Sequence, residues 1–384
     1  MATLLSLPTE LLSLIPQHLN NIESLTSASS TCRRLHSVFS TTHPRTIFRL
    51  AAASAPTFFS PHPHFLLMSV ARQLGDWAFG NAENVARLQR AFQGGVDGLL
   101  EFCLDNDDPA GPRVGITMEE IRRLHLARFE ILNPLADKID KMAGMQWYQS
   151  ADDFWDGGVS EPNTVQVDVN RATLQLVIYG ELFGRGMEGF LMNPELDAGP
   201  VAWDLETRLD YIKYCIPDWV CTSYPGVEFL PVGPYAPERR VELPADQFAM
   251  RHILRCRRWR RMWAEAMEMV GPPLAHWEDE MDMWDWDGEQ EVEPWVWKLR
   301  LFRNALQTRG LEGMQMVTLP KEKIKPEVLE AARVIRGQIE RLEKPPEEDI
   351  VGDVLKAKVS KPLDPAGEVH VCMATYWGGT GVIR

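Results

Sequence analysis

The stretch LPTELLSLIPQHLNNIESLTSASSTCRRLHSVF, residues 7–39, has the most informative pattern in the chain. Its first apolar residues recur at helical spacing, and Pro8 stands in the first turn, where its missing N–H is harmless. Asn20-Asn21 breaks the pattern, and two further apolar stripes follow. They are Ile22, Leu25 and Ala28, and then Leu35, Val38 and Phe39. The stretch predicts three short helices, with too little apolar surface to be stable alone.

Read as a whole, residues 7–39 resemble the F-box, the three-helix module of F-box proteins. The resemblance rests on Leu7-Pro8 followed by Glu10-Leu11-Leu12, then Ile15, Leu19 and Leu25, and on the run Thr31-Cys32-Arg33-Arg34-Leu35. It implies that the helices dock on the Skp-type adaptor of a Skp–cullin–F-box ubiquitin ligase, while the rest of the chain recruits a protein substrate. The residues implied to bind the adaptor are Leu7, Pro8, Leu11, Leu12, Ile15, Leu19, Leu25, Cys32, Leu35 and Val38.

Two positions depart from the family pattern. Asn21-Ile22 stands where the family often has an Asp-Leu pair, and Pro16 interrupts the first predicted helix. A proline there removes one intrahelical hydrogen bond and kinks or ends the helix. The alternative is that the leucines pack only on the rest of their own chain. If they serve a partner instead, Leu11, Leu12, Ile15 and Leu35 should form an exposed apolar patch.

Composition narrows the classes of protein that the chain can belong to. The 384 residues are 45% hydrophobic and 24% charged, as in ordinary globular proteins, and the net charge of −14 disfavours nucleic-acid and membrane partners. No apolar run approaches the roughly 18 residues that a membrane-spanning helix needs. The opening residues lack the basic start of an export signal. Six scattered cysteines form no metal-binding pattern. We therefore expect a cytoplasmic or nuclear location and no cofactor.

The remainder of the chain predicts a mostly α protein with minor β structure near the C-terminus. We expect an F-box-like unit at 1–48, a larger irregular helical domain for substrate recognition or interaction at 49–320, and a C-terminal helix with a mixed tail at 321–384. A proline- and glycine-rich stretch at 225–244 is a candidate break within the second domain. The C-terminal helix should begin at Pro326, because a stripe of apolar residues follows it at a spacing that suits packing on another helix.

Two acidic motifs offer a different function. Asp152-Asp153-Phe154-Trp155-Asp156 is a DDxxD motif, and Asn304, Thr308 and Glu312 would share one face of a helix. Together they resemble the magnesium-binding motifs of class I terpene synthases, which implies a metal-dependent enzyme using Asp152, Asp153, Asn304, Thr308 and Glu312. Against this reading, Gly157-Gly158 follows the first motif directly, and Gly310 falls inside the second.

Tryptophan and arginine are concentrated between residues 251 and 297. Seven of the thirteen tryptophans lie at 259–297, and nine acidic residues with no basic one lie at 278–293. Because tryptophan and arginine dominate interface hot spots, this region is a candidate substrate-binding patch. Its candidate residues are Trp259, Trp263, Trp284, Trp286, Arg258 and Arg261. The alternative is that the basic and acidic segments neutralise each other while the tryptophans pack inside the protein.

Overall fold

The described part of the protein is mostly α-helical, as the sequence predicts. The computed structural model describes residues 4–54, 58–105, 108–143, 169–192, 203, 205–215, 223–224, 227–228, 257–274, 294–343, 372–376 and 379–382. Within these ranges, no helix is both long and apolar enough to cross a membrane.

The N-terminal unit consists of short helices joined by tight turns. Two 3₁₀ turns, Leu4–Ser6 and Ile15–His18, lie on either side of a one-turn α-helix. The α-helices of the unit are α1 (Thr9–Leu12), α2 (Ile22–Thr31), α3 (Arg33–Phe39) and α4 (Pro44–Ala52).

Longer helices build the rest of the described protein. They are α5 (His64–Ala78), α6 (Ala82–Phe92), α7 (Gly95–Leu104), α8 (Met118–Ala127), α9 (Asn133–Ala143), α10 (Val169–Met192), α11 (Leu205–Cys215), α12 (Arg257–Glu268), α13 (Pro294–Gln307), α14 (Leu311–Thr318) and α15 (Pro326–Glu340). A π-helical turn, Arg128–Leu132, joins α8 to α9, and a 3₁₀ turn, Lys321–Lys323, precedes α15. Two antiparallel pairs complete the list: β1 (Ser223–Tyr224) with β2 (Val227–Glu228), and β3 (Cys372–Tyr376) with β4 (Gly379–Val382).

Helix α4 connects the N-terminal unit to the larger helical part. It runs across the predicted boundary at residue 48, and its apolar residues Phe48 and Leu50 are fully buried. Its first residue also meets the loop before α8, where the Ile116 N–H donates to the Pro44 carbonyl at 3.2 Å. The buried apolar side chains form one continuous core that extends from Leu12 to Ile339. The division into three domains therefore stays a prediction, and most of the candidate break at 225–244 lies outside the described residues.

The C-terminal helix α15 begins at Pro326 and packs its apolar stripe into this core. The buried residues of the stripe are Val328, Ala332, Ile335 and Ile339. A buried arginine, Arg336, lies next to the stripe and donates hydrogen bonds to the carbonyls of Met267 and Pro272. Because Met267 lies in the last turn of α12 and Pro272 just beyond its end, the arginine joins α15 to α12.

A buried histidine makes the fold sensitive to acid. The pKa of His64 is lowered to about 3, chiefly by burial and to a smaller extent by the positive charges of Arg171 and the neighbouring His62. Neither ring nitrogen of His64 has a hydrogen-bond partner within the described residues. A histidine whose pKa is lower in the folded than in the unfolded protein stabilises the fold at neutral pH. That contribution is lost as the pH falls below about 6.5 toward 3.

We therefore expect wild-type protein to lose about 2 kcal/mol more stability between pH 7 and pH 5 than a His64→Gln variant, whose side chain does not titrate. Denaturant unfolding at the two pH values measures both losses. The variant removes the effect of residue 64 alone and leaves His62 and Arg171 unchanged. Equal losses in the two proteins would show that His64 is not protonated on unfolding.

Candidate adaptor-binding surface

Pro16 does not interrupt a helix, because the helix has already ended. Helix α1 stops at Leu12, and Pro16 lies in the first turn of the 3₁₀ segment Ile15–His18, where no N–H is needed. The proline ring is buried. The expectation that Pro16 ends or kinks the first helix is therefore wrong: the helix ends at Leu12, and the buried proline ring contributes to packing.

The second departure from the family pattern, Asn21-Ile22, still provides a helix cap and a buried apolar residue at the start of α2. Asn21 is the N-cap of α2, and its side-chain oxygen accepts a hydrogen bond from the Ser24 N–H at 2.8 Å. Asparagine and aspartate are equally good in this role. Ile22, in the position of the family's leucine, is buried. The pair Asn21-Ile22 therefore supports the same helix start as the more usual Asp-Leu.

Four of the ten residues implied to bind an adaptor are buried in the protein's own core. They are Leu12, Leu25, Leu35 and Val38. In this structure their side chains hold α1, α2 and α3 together and are not available to a partner. The expected exposed patch of Leu11, Leu12, Ile15 and Leu35 is therefore wrong for Leu12 and Leu35.

The other six of these residues have at least part of their side chains at the surface. Pro8 and Leu11 are exposed, while Leu7, Ile15, Leu19 and Cys32 are half-buried. The half-buried leucines and isoleucine pack against the core from its edge. Leu7, Ile15 and Leu19 are close to the exposed residues of α1 in sequence. Their exposed parts are therefore suited to the margin of a contact with an adaptor.

Three exposed leucines were not among the candidates from sequence. Leu4, Leu5 and Leu14 are 54%, 42% and 44% exposed, and Leu11 is 49% exposed. We call these four residues the leucine surface. Leu11 and Leu14 stand on one turn, because the Leu14 N–H donates to the Leu11 carbonyl at 3.2 Å. The sequence signal was an excess of leucine: residues 4–14 hold more leucines than one buried helical face can accommodate.

The acidic motifs do not form the arrangement that the terpene-synthase resemblance requires. Asp152 and Asp153 lie outside the described residues. Helix α13 ends at Gln307, and Gly310, with φ of +57°, turns the chain before α14 begins. Asn304, Thr308 and Glu312 therefore do not share one helical face. Among the described residues, no three His, Cys, Asp or Glu side chains come together to hold a metal.

The three residues of the second motif also have different surroundings. Asn304 and Thr308 are buried, and the Thr308 hydroxyl donates to the Ala305 carbonyl at 2.9 Å. Glu312 is exposed and accepts a hydrogen bond from Arg309 at 3.1 Å. Two of the three proposed ligands thus belong to the protein interior, while the third faces solvent.

The tryptophan- and arginine-rich region is only partly described. Trp259 and Trp263 are fully buried, with their ring centroids 5.6 Å apart in an edge-to-face arrangement. These two rings are packing residues and present no surface to a substrate. On the same helix, α12, Arg261 donates to Glu265 at 3.2 Å. Trp284 and Trp286 lie outside the described residues, as does the side chain of Arg258, so their role in substrate binding stays a prediction.

Comparison with known proteins identifies the N-terminal unit. A family model described as F-box-like matches residues 4–50, which span the leucine surface and the helices α1 to α3. No curated protein and no solved structure matches the chain. The match begins at Leu4, the first residue of the leucine surface, and includes most of α4. The chain thus contains an F-box-like domain at residues 4–50.

Proposed function

We propose that this chain is the substrate-recruiting subunit of a Skp–cullin–F-box ubiquitin ligase. One observation supports the proposal above the others: the F-box-like domain buries one set of leucines and exposes a second set, Leu4, Leu5, Leu11 and Leu14, within eleven residues. Several large apolar side chains left exposed within one short segment suit a protein interaction site.

The energetics favour a partner over solvent at this surface. Fully burying a leucine contributes roughly 1.5–3 kcal/mol, and these four are each about half exposed, so covering each one contributes about 1 kcal/mol. The half-buried Leu7, Ile15 and Leu19 add apolar area at the margin. A contact of this kind leaves the buried leucines in place, and the F-box-like domain can therefore dock without unfolding.

The remaining assignments follow from the same proposal. The adaptor carries the chain to a cullin scaffold, and the residues after the F-box-like domain present a protein substrate. This chain makes and breaks no bond itself. Cys103 and Cys215 are buried free thiols, which suits the reducing cytoplasm or nucleus that we propose as its location.

Reconstitution from purified components tests the proposal. The full chain, a Skp-type adaptor from the same organism and the matching cullin are mixed in pairs and together, and complexes are separated by size-exclusion chromatography. We expect the chain to elute with the adaptor, and with the cullin only when the adaptor is present.

Two other results would contradict the proposal in different ways. Elution with the adaptor but never with the cullin would indicate an interaction module outside ubiquitin ligases. A chain that elutes alone in every mixture would indicate that the F-box-like domain serves only its own core.

A further inference from the structure

Arg34 of α3 reaches back to the start of the chain. Its guanidinium donates one hydrogen bond to the Leu5 carbonyl at 2.5 Å and a second to the Leu7 carbonyl at 2.7 Å. The arginine itself is exposed, and it contacts backbone that is 27 and 29 residues away in sequence. The two acceptors lie on either side of Ser6, so one side chain fixes the turn that carries Leu4 and Leu5.

The turn that Arg34 contacts is short and lies at the surface, and Leu7 after it packs against the edge of the core. The 3₁₀ turn Leu4–Ser6 contains no buried residue, and its own hydrogen bond, from the Leu7 N–H to the Leu4 carbonyl, is 3.3 Å long. Such short 3₁₀ turns have poor hydrogen-bond geometry and are not stable by themselves. Hydrogen bonds from a charged donor are stronger than those between neutral groups. Arg34 is thus well placed to keep this segment ordered.

A second arginine holds the other end of the same segment. Arg49 of α4 donates to the Gln17 carbonyl at 2.9 Å and more weakly to the Leu19 carbonyl at 3.5 Å. Carbonyls at the end of a helix lack partners within the helix, and a basic side chain satisfies them. Residues 4–19 are therefore tied to α3 near their start and to α4 near their end.

We propose that Arg34 is a positioning residue for adaptor binding: it orders residues 4–7 so that Leu4 and Leu5 are presented to the adaptor. The inference rests on the proposed function, since it concerns the same docking surface. A planar guanidinium can donate to two carbonyls at once in a fixed geometry, whereas the ammonium of lysine is a flexible point charge. The role thus requires arginine and not merely a positive charge.

The test compares Arg34→Ala and Arg34→Lys with Arg33→Ala, which removes a charge of the same sign from the adjacent position on α3. The dissociation constant for a purified Skp-type adaptor is measured for each full-length variant. We expect Arg34→Ala to bind about 10-fold more weakly, the loss of roughly one charge-assisted hydrogen bond. Arg34→Lys should recover little of this loss, and Arg33→Ala should bind within about twofold of wild type.

Hydrogen exchange in the free proteins supplies a readout that does not depend on the adaptor. We expect the amides of residues 4–7 to exchange faster in Arg34→Ala than in wild type or Arg33→Ala, with the thermal midpoint nearly unchanged. A double-mutant cycle then separates positioning from direct contact. In a Leu4→Ser, Leu5→Ser background, Arg34→Ala should cause no further loss of affinity.

Three results would overturn the inference. The first is wild-type affinity in Arg34→Ala. The second is a further 10-fold loss in the Leu4→Ser, Leu5→Ser background, which would mean that Arg34 contacts the adaptor directly. The third is unchanged exchange at residues 4–7. If wild-type protein itself fails to bind the adaptor, the proposed function fails and this inference fails with it, whereas the first three results leave the proposed function standing.

Discussion

A Leu11→Asp, Leu14→Asp variant should bind a Skp-type adaptor at least about 100-fold more weakly than wild type, because each substitution places an unpaired carboxylate in an apolar contact. Both leucines are about half exposed and stand on the same turn. In the free protein the new carboxylates would face water, so folding should not be impaired. The expected variant is therefore folded but unable to dock.

Binding is measured by calorimetry with purified adaptor, and folding by the thermal midpoint of the free variant. The matched control is Leu126→Asp on α8, which makes the same chemical change at a leucine that is 61% exposed but outside the F-box-like domain. The control should bind within about twofold of wild type. Retained affinity in the Leu11, Leu14 variant, or an equal loss in the control, would contradict the placement of the docking surface.

Trp263→Ala should destabilise the whole protein by about 3–5 kcal/mol, the usual cost of removing a large buried aromatic side chain. Trp263 is fully buried in α12 and packs edge-to-face on Trp259. Truncation would leave a cavity and also remove the contact between the two rings. The substitution should lower the free energy of unfolding and should not cause a selective loss of substrate binding.

Denaturant unfolding of wild type and variant measures this loss directly. Arg261→Ala on the same helix is the control, because its side chain is nearly half exposed and forms a surface pair with Glu265. We expect the control to change stability by less than about 0.5 kcal/mol. A Trp263→Ala protein as stable as wild type would show that the ring is not part of the core.

The F-box-like domain was located by the resemblance of residues 7–39 to the family, which includes the run Thr31-Cys32-Arg33-Arg34-Leu35. Periodicity predicted the helical class, because the buried side chains of a short helix recur in register with its turns. The helix α15 is a further example: its start at Pro326 and its buried stripe both follow from spacing. Periodicity could not predict which of the leucines at 4–14 are buried and which are exposed. Spacing predicts that a leucine lies on some face, but only the tertiary structure decides whether Leu12 or Leu11 faces the core.

The acidic and tryptophan-rich motifs show a different limit of sequence reasoning. Asn304, Thr308 and Glu312 have the spacing of one helical face, yet Gly310 adopts a positive φ and divides the segment between two helices. A glycine in that position was a visible signal of the break. Trp259 and Trp263 are of a residue type that is common both in cores and at interfaces, so composition alone could not assign them to either.

On our proposal, residues 4–19 form the surface on which an adaptor docks. Hydrogen exchange of the full-length chain, with and without saturating Skp-type adaptor, tests it most directly. We expect the strongest slowing of exchange at residues 4–19 and no change at residues 118–132, where Leu126 and Phe129 are exposed outside the domain. Binding with no slowing at residues 4–19, or no binding at all, would contradict the claim.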